Sequence, residues 1–278
     1  DLDGDLDIYV GNYVEYDGYP FSINLTNPII DFFYQNNGNE TFNLLPSPLF
    51  EKDTGATLVA SFTDFDQDGD SDLFVLNDYG DIYEPNKLLL NTYPKKTMQE
   101  ISVLIGFDNE MQSMGLATGD IDEDGDLDYY ITNLGDNYLL ENQNASSFKN
   151  ISNEKNVIDG LGISWGTAFL DINNDSYLDL YVAKGSIFAD NDSQANKLYQ
   201  YDKVSEKFID NSIAEGMAEP NRGRGMAHGD FNQDGKIDFA VSNVRAKQSN
   251  EGRALLYINQ NRNSGNWVKI ILEGNVSN

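Results

Sequence analysis

The chain has 278 residues, 40% of them hydrophobic, a formal charge of −28 and no cysteine. That length and apolar content suffice for one large packed domain or two ordinary ones, while the charge excludes a general affinity for nucleic acid or anionic membrane, both of which need a basic surface. Disulfides and thiolate chemistry are excluded, as is a membrane-spanning helix, since no apolar run reaches about 18 residues.

Read from the N-terminus, the chain repeats itself. It opens inside an acidic motif running from Asp1 to Asp7, so further chain is expected before it. An apolar stretch, Ile8-Tyr9-Val10, and Asn12 follow. Next come an insertion from Glu15 to Ile30, rich in aromatics and turn residues, and a second strand, Phe33 to Asn36. A strand over Leu58 to Phe62 then leads into the complete motif, Asp64-Phe65-Asp66-Gln67-Asp68-Gly69-Asp70-Ser71-Asp72. The same sequence of events recurs at Met114 to Thr118 with Asp120 to Asp128, and at Trp165 to Phe169 with Asp171 to Asp179. It recurs once more at Arg224 to His228 with Asp230 to Asp238. Each motif precedes an apolar stretch read as alternating (Leu73-Phe74-Val75, Tyr129-Tyr130-Ile131, Leu180-Tyr181-Val182, Phe239-Ala240-Val241). Asn12, Asn77, Asn133 and Asn243 follow these stretches, with Lys184 the exception. A further strand then begins near Leu88, Leu139, Leu198 and Leu256, and a turn with an aromatic, such as Phe42, Phe148 or Phe208, closes the unit. A four-stranded unit recurring every roughly 50 to 60 residues is the pattern of a β-propeller blade. Period-two apolar spacing excludes helical repeats.

The motif reads D-x-[DN]-x-[DN]-G-x-x-D, which is a ligand pattern for a hard cation. Calcium takes six to eight oxygen ligands from carboxylates, a backbone carbonyl and water. Positions 1, 3, 5 and 9 supply side chains, position 6 needs a positive φ, and position 7 supplies its carbonyl while its side chain is free to vary. The ninth carboxylate is read as chelating through both oxygens. The ligand sets are Asp1, Asp3, Asp5 and Asp7; Asp64, Asp66, Asp68, Asp70 and Asp72; Asp120, Asp122, Asp124, Asp126 and Asp128. The last two are Asp171, Asn173, Asp175, Tyr177 and Asp179, and Asp230, Asn232, Asp234, Lys236 and Asp238. Up to five Ca2+ ions would offset about a third of the charge that otherwise repels itself in a compact state. In the Asp171 copy Ser176 replaces glycine, which predicts a strained, weaker site. The strands flanking the motif exclude an EF-hand.

These repeats resemble FG-GAP/VCBS repeats, the calcium-loop blades also found in integrin α-subunit heads. Three stretches resemble the ASPIC/UnbV family more narrowly: Gly162 to Asp171, Arg222 to Asp230, and Gly265-Asn266-Trp267-Val268-Lys269-Ile270-Ile271-Leu272-Glu273-Gly274. The resemblance implies a seven-bladed ring of which residues 1–262 supply about five blades, with 263–278 opening a C-terminal domain. It also implies a secreted or cell-surface protein that binds or adheres and is not an enzyme.

The residues themselves offer no active site. His228, the single histidine, aligns with Phe62, Thr118 and Phe169 and reads as a packed strand residue. Without cysteine or a second histidine, zinc sites of the usual composition cannot form. Trp165, Arg222 and Arg224 read first as caps of a propeller channel and second as an anion or carbohydrate site. The insertion from Glu15 to Ile30 is the expected partner-binding loop. The reading is thus a calcium-stabilised β-propeller with a protein or glycan partner outside the cell. A lectin-like propeller, or an accessory domain of a secreted enzyme complex, is the alternative.

Overall fold

The computed structural model describes residues 4–16, 23–45, 54–95, 97–160, 162–187, 194–218, 222–244, 252–261, 265–268 and 270, with the main chain alone for 15, 16 and 23–28. Asp1 and Asp3 of the first motif lie outside the described residues. No described helix is long and apolar enough to cross a membrane.

The strands form successive antiparallel sheets. In the first, β1 (Ile8–Val10), β4 (Phe32–Asn36) and β5 (Phe42–Leu44) lie side by side, while β2 (Val14–Tyr16) and β3 (Ile23–Pro28) form a separate ribbon. The second runs β6 (Ala56–Thr63), β7 (Asp72–Asp78), β8 (Lys87–Asn91), β9 (Met98–Glu100). The third runs β10 (Gly115–Gly119), β11 (Asp128–Thr132), β12 (Tyr138–Asn142), β13 (Phe148–Asn150). The fourth runs β14 (Ser164–Leu170), β15 (Asp179–Lys184), β16 (Lys197–Asp202), β17 (Lys207–Asp210). The fifth holds β18 (Arg222–Gly229), β19 (Asp238–Val244) and β20 (Leu255–Tyr257). One short helix, α1 (Ser102–Ile105), follows β9 and ends on Gly106 at φ 76°. Strands that neighbour one another in chain order make the up-and-down blade of a β-propeller. The chain is therefore an all-β protein of that class, as its repeats predict. The three middle sheets are four-stranded; the first and last show three strands each among the described residues. The insertion after Glu15 sits where expected, between β1 and β4 of one blade.

The second strand of the middle blades departs from the alternating pattern. β7, β11 and β15 are buried at every position, so both faces are covered and the apolar run is continuous.

The chain divides into two compact units, one containing the first two sheets and Gln143–Phe148, the other Met114–Asn142 and Lys149–Ile271. In the first, Phe33, Leu73, Val75 and Leu89 pack together, and Phe74 meets Phe107 edge-on at 5.1 Å between ring centres. In the second, one cluster gathers Tyr130, Leu139, Leu180, Val182 and Phe208, and another Tyr181, Leu198, Met217, Phe239 and Val241. Each fully buried side chain of this size contributes roughly 1.5–3 kcal/mol.

A buried polar frame recurs with the blades. Asn86, Asn137 and Asn196 accept the main-chain N–H of Asn77, Asn133 and Lys184 at 2.9, 2.8 and 2.9 Å. Ser102, Ser152 and Ser212 accept the N–H of Leu88, Leu139 and Leu198 at 3.0, 2.7 and 2.8 Å. All six side chains are buried, so each satisfies a main-chain donor that would otherwise be orphaned.

Candidate metal centres

Four of the five acidic loops are described in full, and each of these joins the first strand of its blade to the second. In the Asp64 loop, Gln67 at φ 60° and Gly69 at φ 92° turn the chain through the left-handed region. The turn brings main-chain amides onto the carboxylates. Asp68 N donates to Asp66 Oδ1 at 3.3 Å, Gly69 N to Asp64 Oδ2 at 3.2 Å, and Asp70 N to Asp68 Oδ1 at 3.1 Å. The Asp120 loop repeats this, with Glu123 at φ 63° and Gly125 at φ 100°, and with bonds of 3.3, 3.1 and 3.0 Å. In both loops carboxylate oxygens converge: one each from Asp64, Asp66 and Asp72, and one each from Asp120, Asp122 and Asp124, lie within 4.8 Å of one another. Oδ1 of Asp64, Asp70 and Asp120 is buried with no hydrogen-bond partner. An acceptor-only oxygen left so is costly unless a cation or a donor meets it.

The electrostatics agree. Burial raises the carboxyl of Asp66, aided by the charges of Asp68 and Asp64; Asp122 is raised likewise, by burial and then by Asp124. Burial also pushes Asp72, Asp128 and Asp179 up to about 7. Partly desolvated, mutually repelling carboxylates of this kind fit a hard divalent cation.

The ninth aspartate does more than the motif implies. Both of its oxygens accept main-chain N–H groups. Asp72 takes Phe65 N at 3.0 Å and Asn91 N at 2.8 Å; Asp128 takes Ile121 N at 3.0 Å and Asn142 N at 2.9 Å. Asp179 takes Ile172 and Tyr201, and Asp238 takes Phe231 and Asn259. In the first blade Asp7 accepts Asn36 N at 2.9 Å. This carboxylate fastens the start of the loop to the end of the third strand, and each oxygen keeps a second lone pair. At position 7, Asp70 and Asp126 are buried.

The Asp171 and Asp230 loops use asparagine at position 3. Asn173 Nδ2 donates to Asp175 Oδ2 at 2.8 Å, and Asn232 Nδ2 to Asp234 Oδ2 at 3.2 Å. Ser176 does occupy the glycine position at φ 78°. Ser176→Gly is expected to stabilise the protein by about 0.5–1 kcal/mol, read as a higher denaturant midpoint; an unchanged midpoint would show that the turn is unstrained. Asn174, a glycosylation sequon by sequence, donates its amide to Gly235 O at 3.0 Å. Gly265 N donates to Asn173 O at 3.2 Å, and a Cβ on Gly235 would meet the Trp267 ring at 1.9 Å.

Two other sequence-level candidates change. His228 is exposed, not packed, although it stands in β18 opposite Phe239 as a strand residue. Arg224 stacks on Trp165 at 4.3 Å, but its guanidinium is committed to the carbonyls of Gly185, Gly223 and Ser186. Trp165 Nε1 donates to Gly185 O as well, at 2.8 Å. This pair ties strands together, which removes most of its capacity to receive an anion or sugar.

Comparison with known proteins follows the same units. A mouse (Mus musculus) protein named Cartilage acidic protein 1 is 25% identical over 264 residues, covering 87% of this chain. The chain spans 38% of the length of that relative. A solved lectin of Agrocybe aegerita, described by its recognition of non-reducing terminal N-acetylglucosamine, aligns at a TM-score of 0.49 and 14% identity. That alignment covers 88% of this chain and 61% of the lectin. The family model of the FG-GAP-like repeat matches residues 1–75, 64–131 and 120–182, each match running from one acidic loop to the strand after the next. With blades, loops and matches in one phase over most of its length, the chain belongs to the FG-GAP-like repeat family.

Proposed function

We propose that this chain is a non-enzymatic, calcium-stabilised propeller module that binds a partner at the cell surface or outside the cell. The observation that carries the reading is the convergence of carboxylate oxygens in the Asp64 and Asp120 loops, with Oδ1 of Asp64, Asp70 and Asp120 buried and left without a hydrogen bond. Asp64, Asp66, Asp68 and Asp72, and their counterparts Asp120, Asp122, Asp124 and Asp128, would hold the ion. Bound there, it would neutralise carboxylates between the first and second strands of a blade. Calcium suits such sites better than magnesium, which tolerates crowded protein cages poorly. Extracellular calcium is abundant enough to fill even weak structural loops, which supports a role outside the cell.

The partner is proposed to be a protein met by the β2–β3 ribbon, which is inserted between two strands of the first blade. The glycan alternative is weakened, because three of the five N–H donors of Arg224 are spent on carbonyls within the chain.

Calorimetric titration with calcium, paired with melting in calcium and in chelator, tests the reading. Filling two sites at a hundredfold excess over Kd stabilises by about 5 kcal/mol, a rise in Tm of roughly 10 °C or more. No heat of binding and identical melts would show the loops to be solvated acidic turns.

A further inference from the structure

The four fully described loops are not equivalent. The Asp64 and Asp120 loops carry aspartate at positions 1, 3, 5, 7 and 9; the Asp171 and Asp230 loops carry it only at 1, 5 and 9. In the latter pair both oxygens of the first aspartate are taken. Asp171 accepts Asp175 N at 2.9 Å and Ser176 N at 2.8 Å, and Asp230 accepts Asp234 N at 3.0 Å and Gly235 N at 2.9 Å. In the former pair only Oδ2 accepts an amide, and Oδ1 of Asp64 and of Asp120 is buried with nothing to meet it.

Position 3 accounts for the difference. An asparagine amide donates to the neighbouring carboxylate, as Asn173 does to Asp175 and Asn232 to Asp234. An ionised aspartate has no proton to give, so Asp66 faces Asp68, and Asp122 faces Asp124, as like charges. Lys236 adds a cation 3.8 Å from Asp234 in the Asp230 loop. In the Asp64 loop Asp70 is only 4% exposed and accepts the main-chain N–H of Tyr93, yet its Oδ1 has no hydrogen-bond partner. A buried acceptor of that kind calls for a cation.

The two asparagine loops are also held from outside. Asn174 bonds Gly235 O, Asn259 Nδ2 donates to Ile172 O at 2.7 Å and Ile237 O at 3.2 Å, and Gly265 N bonds Asn173 O.

We infer that the loops divide by cation dependence: the Asp64 and Asp120 loops depend on a divalent cation to hold their shape and bind it tightly, whereas the Asp171 and Asp230 loops are held by additional amide bonds of their own and bind it weakly. This rests on the reading that the loops take calcium, and it follows the rule that affinity in oxygen sites rises with ligand charge.

The test is calcium titration of the whole chain by calorimetry and native mass spectrometry, with the double variants N173D/N232D and D66N/D122N. Counting by difference cancels whatever the Asp1–Asp7 copy binds. The wild type should show two affinity classes at least tenfold apart. N173D/N232D should tighten the weak class about tenfold and lower Tm in chelator. D66N/D122N should abolish the tight class for these two loops and raise Tm in chelator. Hydrogen exchange of the wild type in chelator needs no variant: the amides of Ser176 and Gly235 should be better protected than those of Gly69 and Gly125. A single affinity class with equal protection in all four loops would overturn the division while leaving calcium binding intact. No binding to any protein would overturn the calcium reading itself.

Discussion

Replacing Asp128 by alanine is expected to destabilise the protein by about 3–5 kcal/mol, a fall in Tm of roughly 10 °C. The side chain is buried at the start of β11 and accepts Ile121 N and Asn142 N through separate oxygens. Alanine leaves both donors buried without an acceptor, and each orphan costs about 1–3 kcal/mol. Asp128→Asn keeps the shape and one carbonyl oxygen but sets its NH2 group against the other donor, so it should recover only part of the loss. Measuring both variants in calcium and in chelator separates the two roles of this carboxylate. A deficit that persists in chelator belongs to the hydrogen bonds. One that vanishes there would mean that Asp128 acts through a metal alone, contrary to the role assigned to it.

The second large effect lies away from the loops. Lys184 stands where other blades carry asparagine, and its Nζ reaches Asp159 Oδ2 at 2.6 Å with both side chains nearly out of water. Lys184→Met should cost about 3–5 kcal/mol at neutral pH, because breaking a buried pair strands one charge. The pH dependence has a definite sign. Burial raises the Asp159 carboxyl, Lys184 and then Lys197 lower it, and Asp210 raises it. Tyr199 also faces it. Removing Lys184 raises it further. A carboxyl with a raised folded-state value binds a proton in the folded protein before the unfolded one does, so stability is lost as pH rises through that value. The deficit of Lys184→Met, read from urea midpoints, should therefore shrink from pH 8 to pH 5. The double replacement K184M/D159L should be milder than the single one, since no charge is left behind. A deficit independent of pH would indicate lost packing instead.

Much of the fold was legible in the sequence because a blade writes its strands and its loop with the same side chains every time. Asp64 to Asp72 and its copies placed the join between first and second strands, and Phe42, Phe148 and Phe208 marked fourth strands that the structure contains. What was missed depends on partners that leave no signature. The double engagement of Asp72 and Asp128 is invisible because its donors are main-chain amides. The frame of Asn86, Asn137 and Asn196 could have been found: each stands two residues before the first leucine of the third strand, with Ser102, Ser152 or Ser212 some 13 or 14 residues beyond that leucine. His228 was misplaced for another reason. Alignment with Phe62, Thr118 and Phe169 fixed its strand and register but not what covers that face, and Phe62 is itself exposed while Phe169 is buried.

The ninth aspartate also bears on how such a chain tolerates change. Its donors are peptide N–H groups, so the side chains at those positions are released from the contact: Phe65, Ile121, Ile172 and Phe231 at one end, Asn91, Asn142, Tyr201 and Asn259 at the other. Apart from proline, which lacks the proton, any residue can donate there. One carboxylate per blade thereby anchors a corner through contacts that do not themselves specify the side chains there. A blade built this way can be duplicated and can diverge, or exchange its loop as a cassette, without losing the joint that holds its strands in register.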